Sequence, residues 1–382
     1  MRYAVLNAAF ATLAATRLTP LIRAMGQARG VIFTLHRVLP NPPAPFAPNA
    51  ILQVTPEFLE TALIETRRAG FDIVTMDEAL TRLRAPEKGR PFAVFTFDDA
   101  YRDNLNFALP ILRHHQAPFT LYVPTALVDG RGEIWWQALE DIIAANPEIV
   151  IEDGEGTRTL PAATLDEKHV AFREIYRAHR TMPEDARVAA LDGLAARYGM
   201  DLHTHCRDLV MDWAELKTFA NDPLCTIGAH TVHHYELSKL APETLREEME
   251  RSARILEQKF GERPRHFSFP IGGPEAAGPR EYAMARDLGF ASAVTTRPGG
   301  LYPENAESPW DLPRISLNGL FQKPEYMPVF LTGSLFTALS GGRKKFAQTL
   351  SVRASHPADD DHGREHPAEP RRDEIDHRHE RV

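Results

Sequence analysis

The sequence is nearly without cysteine: Cys206 and Cys225 are the two among 382 residues, and they lack the paired spacing of a zinc knuckle or a redox motif. A disulfide-stapled scaffold is thereby excluded, and nothing calls for a bond between the two. A long basic stripe is also missing. Arg343-Lys344-Lys345 is a short cluster in a chain of formal net charge -8, so the electrostatic footprint of a nucleic-acid binder is absent. Long apolar runs are missing as well. The apolar stretch 327–339 is too short to span a bilayer and is interrupted by Thr332, Gly333 and Ser334. Extremes of composition are lacking too, since 43% hydrophobic and 25% charged residues sit near globular averages. The length accommodates one large α/β domain or two smaller ones.

The N-terminus, from Ala4 to Thr16, is rich in small apolar residues but is interrupted by Asn7. From 11 to 25, Leu13, Leu18, Leu21, Ile22 and Met25 recur on one helical side with arginines between them. That pattern reads as a docking or surface-lying amphipathic helix capable of peripheral membrane contact, rather than a cleaved signal, and the chain is expected in the cytoplasm.

From Gly30 onward, short β-rich runs alternate with longer helical patterns, which is the mark of parallel βαβ units. Strands are expected at 31–36, 72–75, 92–97, 119–123, 226–229, 266–269 and 291–295, with a weaker one at 314–317. Helices are expected at 56–69, 76–84, 102–114, 134–145, 242–260 and 280–288. Runs such as Phe92-Ala93-Val94-Phe95 are continuously apolar, as in a parallel sheet covered on both faces. The expected fold is α/β, a distorted, incomplete or nearly closed parallel β/α barrel of about seven strands. It occupies 30–318, preceded by the helical segment 1–29 and interrupted by a helical insertion at about 147–206 that opens with the acidic loop Glu152-Asp153-Gly154-Glu155-Gly156. A helical extension follows at 319–350. The tail, 351–382, is dominated by charged residues, His and Pro and is expected to be disordered, because it has too little apolar surface to offset its ordering entropy.

Two segments carry chemistry. In Phe95-Thr96-Phe97-Asp98-Asp99 an apolar strand runs into two adjacent carboxylates, at the strand end where barrel enzymes gather catalytic groups. Such a pair divides its work when one carboxylate ligates a cation and the other accepts a proton from water; the plainer alternative is a helix cap beside a solvated aspartate. In Ile227-Gly228-Ala229-His230-Thr231-Val232-His233-His234, a second strand ends in three imidazoles. His230 and His234 share a face if the segment coils helically and offer two nitrogens to one metal, whereas His233 reads as an ordinary exposed histidine.

With these residues in view, the sequence resembles the polysaccharide deacetylase family, whose catalytic region also occurs in nodulation-type chitooligosaccharide deacetylases. Thr96-Phe97-Asp98-Asp99 is similar to the family's first motif, and His230-Thr231-Val232-His233-His234 is similar to its His-Ser/Thr-x-x-His motif. Phe267-Ser268-Phe269-Pro270-Ile271-Gly272 resembles a groove-lining segment, Gly289 to Thr296 the strand after it, and Leu35-His36-Arg37-Val38 the start of some family branches. The resemblance spans about residues 30–315. It implies removal of N-acetyl groups from an amino-sugar polymer or oligomer, with Asp98 as base and Asp99, His230 and His234 holding a divalent metal, Zn²⁺ first and Co²⁺ next. Tyr101, Phe269, Pro270 and Trp135 are the expected substrate contacts. The family's later Leu-x-His is missing, since Leu312-Pro313-Arg314-Ile315 has no histidine, so His36 is the expected replacement acid. Ala100 stands where the family commonly has glycine. Arg102 and Asp103 are candidates to orient the base, and Glu248 to support a ligand. Two rival readings remain: hydrolysis of another non-peptide C–N bond, and a catalytically silent carbohydrate-binding protein.

Overall fold

The computed structural model describes residues 2–339 apart from Arg17, Lys88, Gly154 and Glu155. The expected tail at 351–382 and most of the second half of the 319–350 extension lie outside the described residues.

Eight parallel strands form the main sheet: β1 (Gly30–Leu35), β2 (Asp72–Ile73), β3 (Phe92–Asp98), β4 (Phe119–Val123), β5 (Cys225–Ala229), β6 (His266–Ser268), β7 (Ser292–Val294) and β8 (Ile315–Ser316). Seven of them follow one hydrogen-bonded path, β7-β6-β5-β4-β3-β1-β8, while β2 pairs with Phe92 and Ala93 of β3. The path curls into an open half-barrel surrounded by helices. Across its opening, Leu312 makes a single parallel bridge to Val294, so the segment entering β8 touches the far edge strand.

The apolar runs account for this architecture. Every residue of β1, β3 and β4 is buried. Alternate positions separate into two clusters: Phe33, Leu35, Phe95, Phe97 and Leu121 pack under the outer helices, while Ile32, Phe92, Val94, Tyr122 and Val294 fill the interior. The helix Met76–Arg84 joins the interior cluster through Met76, Ala79, Leu80 and Leu83. Each such side chain contributes roughly 1.5–3 kcal/mol by leaving water. Local signals set the helix ends. Thr55 accepts the Phe58 N–H at 3.1 Å to start Pro56–Arg68, and Gly261, at φ 86°, ends Pro242–Phe260.

The structure departs from the sequence expectation in three places. The helix expected at 102–114 carries a π-helical stretch, Asn104–Ala108, between α-helical residues 102–103 and the α-helix Leu109–His114. Pro110 has no N–H for an i→i-4 bond, which explains why the preceding turn is widened. The insertion opens with a hairpin, Glu148–Asp153 against Gly156–Pro161, with Ile149 opposite Leu160 and Ile151 opposite Arg158. Its second strand is almost wholly exposed, so it carries no apolar alternation to betray it. The helices Leu165–Thr181, Glu184–Arg197 and Leu202–Leu209 follow.

At the N-terminus, the amphipathic pattern over 11–25 belongs to two helices, Arg2–Thr16 and Thr19–Gly26. Phe10 docks the first among Phe321, Tyr326 and Phe330 at centroid distances of 5.1–5.7 Å, whereas Leu18, Leu21 and Met25 remain exposed. Among the described residues, no helix is long and apolar enough to cross a membrane.

Candidate metal and catalytic site

Asp98 is the last residue of β3 and Asp99 the first beyond it, while His230 directly follows β5. With β4 lying between β3 and β5, the sheet alone brings the three within one site. His234 joins them by a route other than the expected helical coil. The segment 230–234 is not helical, and Thr231 (φ 65°) and His234 (φ 60°) both take left-handed backbone conformations. The Thr231 hydroxyl accepts the His234 N–H at 2.9 Å and closes the kink. Asp99 (φ 74°) and Ala100 (φ 56°) are left-handed as well. Four non-glycine residues in a conformation that costs an L-residue roughly 1–2 kcal/mol are held here by their surroundings, as is common where chemistry needs a fixed geometry.

Asp99, His230 and His234 are buried and their ligand atoms lie close together. The Asp99 Oδ1 stands 3.5 Å from His230 Nε2 and 3.3 Å from His234 Nε2. Two ligands each about 2.0–2.1 Å from a tetrahedral ion lie about 3.3–3.4 Å apart, so this spacing fits a first-row divalent cation. The same Oδ1 is buried and has no hydrogen-bond partner. His230 donates its Nδ1–H to the Ser268 carbonyl at 2.7 Å, which leaves Nε2 as the free lone pair. Burial depresses His234 to about 3, so its imidazole is neutral and able to ligate across the physiological range.

Asp98 is held differently. Arg314, fully buried and entering from the segment before β8, grips it bidentately, Nη1 to Oδ1 at 2.8 Å and Nη2 to Oδ2 at 2.7 Å. The guanidinium is itself fixed by the Thr295 carbonyl (2.9 Å), Thr96 Oγ1 (3.1 Å) and Ser268 Oγ (3.0 Å). Burial alone would push the Asp98 carboxyl up, but the Arg314 charge and its hydrogen bonds outweigh burial and hold it below the ordinary 3.8. The Ser268 hydroxyl also donates to Oδ2 at 3.5 Å, so Oδ1 is the oxygen that keeps a lone pair free of hydrogen bonds.

Arg314 was not among the residues singled out from sequence; the available signal was an arginine beside Pro313 in the short strand pattern 314–317. Arg102 and Asp103, the candidates for orienting the base, face elsewhere. Arg102 pairs with Glu215 at 2.8 Å, and Asp103 binds Arg37 Nε at 2.9 Å and the Val38 N–H at 2.8 Å. Glu248, on the helix Pro242–Phe260, braces the histidine segment: Oε2 accepts the Val232 and His233 N–H groups at 3.1 and 2.9 Å, and Oε1 meets His233 Nδ1 at 2.6 Å.

His36 follows β1. Because Leu35 is level with Phe97 on β3, His36 is level with Asp98, and its charged form would stabilise both Asp98 and Asp99 as anions. Its carbonyl is anchored by Asn104 Nδ2 at 2.8 Å. Among the expected substrate contacts, Tyr101 is buried beside the metal residues, and its hydroxyl accepts the Trp136 Nε1–H at 3.0 Å. Phe269 is buried against Phe267 and Tyr282, and Pro270 follows it at the end of β6. Trp135 is buried against Tyr176 and His179, while its neighbour Trp136 lies 4.9 Å from the His234 ring.

Residues 173–291 match the family model described as Polysaccharide deacetylase. That stretch is a polysaccharide deacetylase domain. The chain is therefore a hydrolase of carbon–nitrogen bonds other than peptide bonds, carrying the domain of deacetylases of N-acetylated polysaccharide. The matched stretch contains His230, His234 and the segment 267–272, but ends short of the aspartates on the N-terminal side. No curated protein sequence matches the chain. Among solved structures, the chain is similar to the deacetylase PplD of Streptococcus pyogenes, solved with acetate, at TM-score 0.52 and 17% identity over 79% of this chain and 97% of that one. It is also similar to IcaB of Ammonifex degensii, at TM-score 0.49 and 17% identity over the same shares. The first of these likenesses establishes a common fold.

Proposed function

We propose that the chain is a metal-dependent deacetylase of an N-acetylated amino-sugar polysaccharide or oligosaccharide, with chitooligosaccharides as the first substrates to test. The observation that carries this reading is the convergence of Asp99, His230 and His234, at ligand spacing, beside an ionised Asp98. The donor set of two imidazoles and one carboxylate suits Zn²⁺, then Co²⁺. When bound there, such a cation supplies polarisation of the acetamide carbonyl and a more acidic water. Asp98 Oδ1, whose second lone pair neither Arg314 nor Ser268 uses, would accept the proton of a water as that water's oxygen bonds to the acetamide carbon. His36, level with Asp98 across the neighbouring strand, donates a proton to the departing amine, which leaves as the free amino sugar, and acetate remains. A backbone N–H near Tyr101 assists the developing oxyanion. Tyr101, Phe269, Pro270 and Trp135 line or support the sugar groove, Trp135 acting through Trp136.

The test is acetate release from N-acetylglucosamine oligomers by zinc-loaded protein, against simple N-acyl amides as controls. Wild type is expected to release acetate from the oligomers, Asp98→Asn to lose at least a hundredfold in kcat, and His36→Gln to lose kcat with KM little changed. Metal-loaded wild type that bound oligomers yet released no acetate would make the chain a carbohydrate-binding protein instead, and acetate release unchanged in Asp98→Asn would remove Asp98 from the role of base.

A further inference from the structure

The insertion contains a buried group of charges that the chemistry above does not use. Glu184 and Arg187, on the helix Glu184–Arg197, are both nearly inaccessible and pair at 2.8 Å. Glu184 Oε1 also accepts the backbone N–H of Glu236 at 3.1 Å, two residues beyond His234. Glu236 is buried in turn and is met by Lys239 at 3.1 Å and by Arg180 of the preceding insertion helix at 3.4 Å. The Arg187 guanidinium lies over two rings, Tyr235 at 5.9 Å and Trp135 at 5.6 Å. Each ring leads to the metal ligand. Tyr235 is its chain neighbour, and Trp135 packs edge-on against Trp136, which packs against the His234 imidazole.

Buried ion pairs of this kind add little net stability over apolar packing; their best-attested use is to select one conformation. Here the conformation selected is the one that is otherwise unfavourable, the left-handed His234 backbone and the turn behind it. We propose that Arg187, with Glu184, is a positioning residue for His234, so that the insertion braces the chain after this residue as Glu248 braces it before. Glu248 holds the backbone ahead of His234, Glu184 holds the backbone behind it, and Arg187 fixes the aromatic wall against the imidazole. Sequence alone gives no hint of this, because residues 184 and 187 lie about fifty positions from the histidine on a helix that reads as ordinary and solvated. The inference rests on the metal reading above.

The experiment is zinc titration against a competing chelator, with Asp99→Asn protein as the blank for adventitious binding, together with the visible spectrum of cobalt-loaded protein. The variants are Arg187→Gln, Arg187→Lys and Tyr235→Leu, with far-UV circular dichroism and thermal melts to report folding. Expected is a Kd raised about ten- to a hundredfold in Arg187→Gln with a changed cobalt spectrum, partial recovery in Arg187→Lys, and a smaller loss in Tyr235→Leu. Folded Arg187→Gln with wild-type affinity and spectrum overturns the proposal. If Arg187→Gln does not fold, Tyr235→Leu decides: weakened zinc binding supports the positioning role, and unchanged binding rejects it. Wild-type protein that binds no more zinc than the blank refutes the metal reading itself, an outcome distinct from either.

Discussion

Replacing Arg314 by Met isolates the largest electrostatic effect in the site. The guanidinium makes two short hydrogen bonds to Asp98 and two to neighbouring hydroxyls, all away from water. Methionine preserves much of the volume but leaves the carboxylate buried with no cation against it. Breaking one side of a buried pair costs about 3–5 kcal/mol, which for a chain of this size lowers Tm by roughly 4–7 °C. The same loss raises the Asp98 pKa, because burial, previously outweighed, now acts unopposed by that neighbour. An opposite charge at this range is worth about 1–3 pH units. In wild type the carboxyl sits below 3.8 and is ionised throughout the usual assay range, so activity should show no acid limb from Asp98 above about pH 4. In Arg314→Met the acid limb of kcat/KM should rise by about 1–3 units, with activity recovered as pH increases. The assay is the pH profile of acetate release at saturating zinc, run beside thermal melts. A variant that melts lower but keeps the wild-type acid limb would show that Arg314 is only a structural tie and that Asp98 is not the group whose ionisation governs turnover.

Glu248→Gln keeps one acceptor for the two backbone N–H groups at 232 and 233 and turns an amide toward His233; a stability loss of about 1.5–3 kcal/mol by urea titration is expected, with weaker zinc binding. His179 is buried and depressed to about 4, chiefly by burial, so the folded state resists a proton that the unfolded chain takes up near 6.5. Its stability contribution is whole above about pH 6.5 and is lost as pH falls toward 4, up to about 3 kcal/mol; in metal-free protein, His179→Phe should flatten the urea-midpoint profile over that window, and an unchanged slope would refute the assignment. Ala100→Gly sets relief of a left-handed alanine, about 1–2 kcal/mol, against one lost buried methyl and a more flexible unfolded chain, so melts should differ by less than about 1 kcal/mol in either direction.

The barrel was legible because its strands are buried on both faces and read as unbroken apolar runs; Phe92 to Phe97 leaves little choice of element. The carboxylates were legible for the complementary reason, that two aspartates at the end of such a run are out of place unless they are used. The histidine motif was legible as chemistry but not as geometry. Helical spacing suggested that 230 and 234 share a face, whereas left-handed turns at Thr231 and His234 bring them together, and a threonine or histidine with positive φ leaves no trace in composition. Arg314 escaped notice because arginine is ordinarily a surface residue, and its burial depends on an aspartate more than two hundred positions away. The hairpin of the insertion escaped notice because its exposed strand has no hydrophobic face for a pattern to follow.

The site is divided along the chain and is assembled only by the fold. The family match covers the histidines and the segment 267–272, yet Asp98 and Asp99 lie about 75 residues before it, and Arg314 lies beyond its end. Parallel pairing makes these pieces one site: β3 and β5 flank β4 and deliver Asp98, Asp99 and His230 at the same strand-end level, and Leu312 bridges Val294 so that Arg314 crosses the opening of the half-barrel to reach Asp98. A fully closed barrel would put a strand across that gap. The open edge leaves room for an arginine that sets the ionisation of Asp98 from inside, and on that account Arg314→Met should perturb the acid limb far more than any change to Arg102, whose guanidinium pairs with Glu215 outside the site.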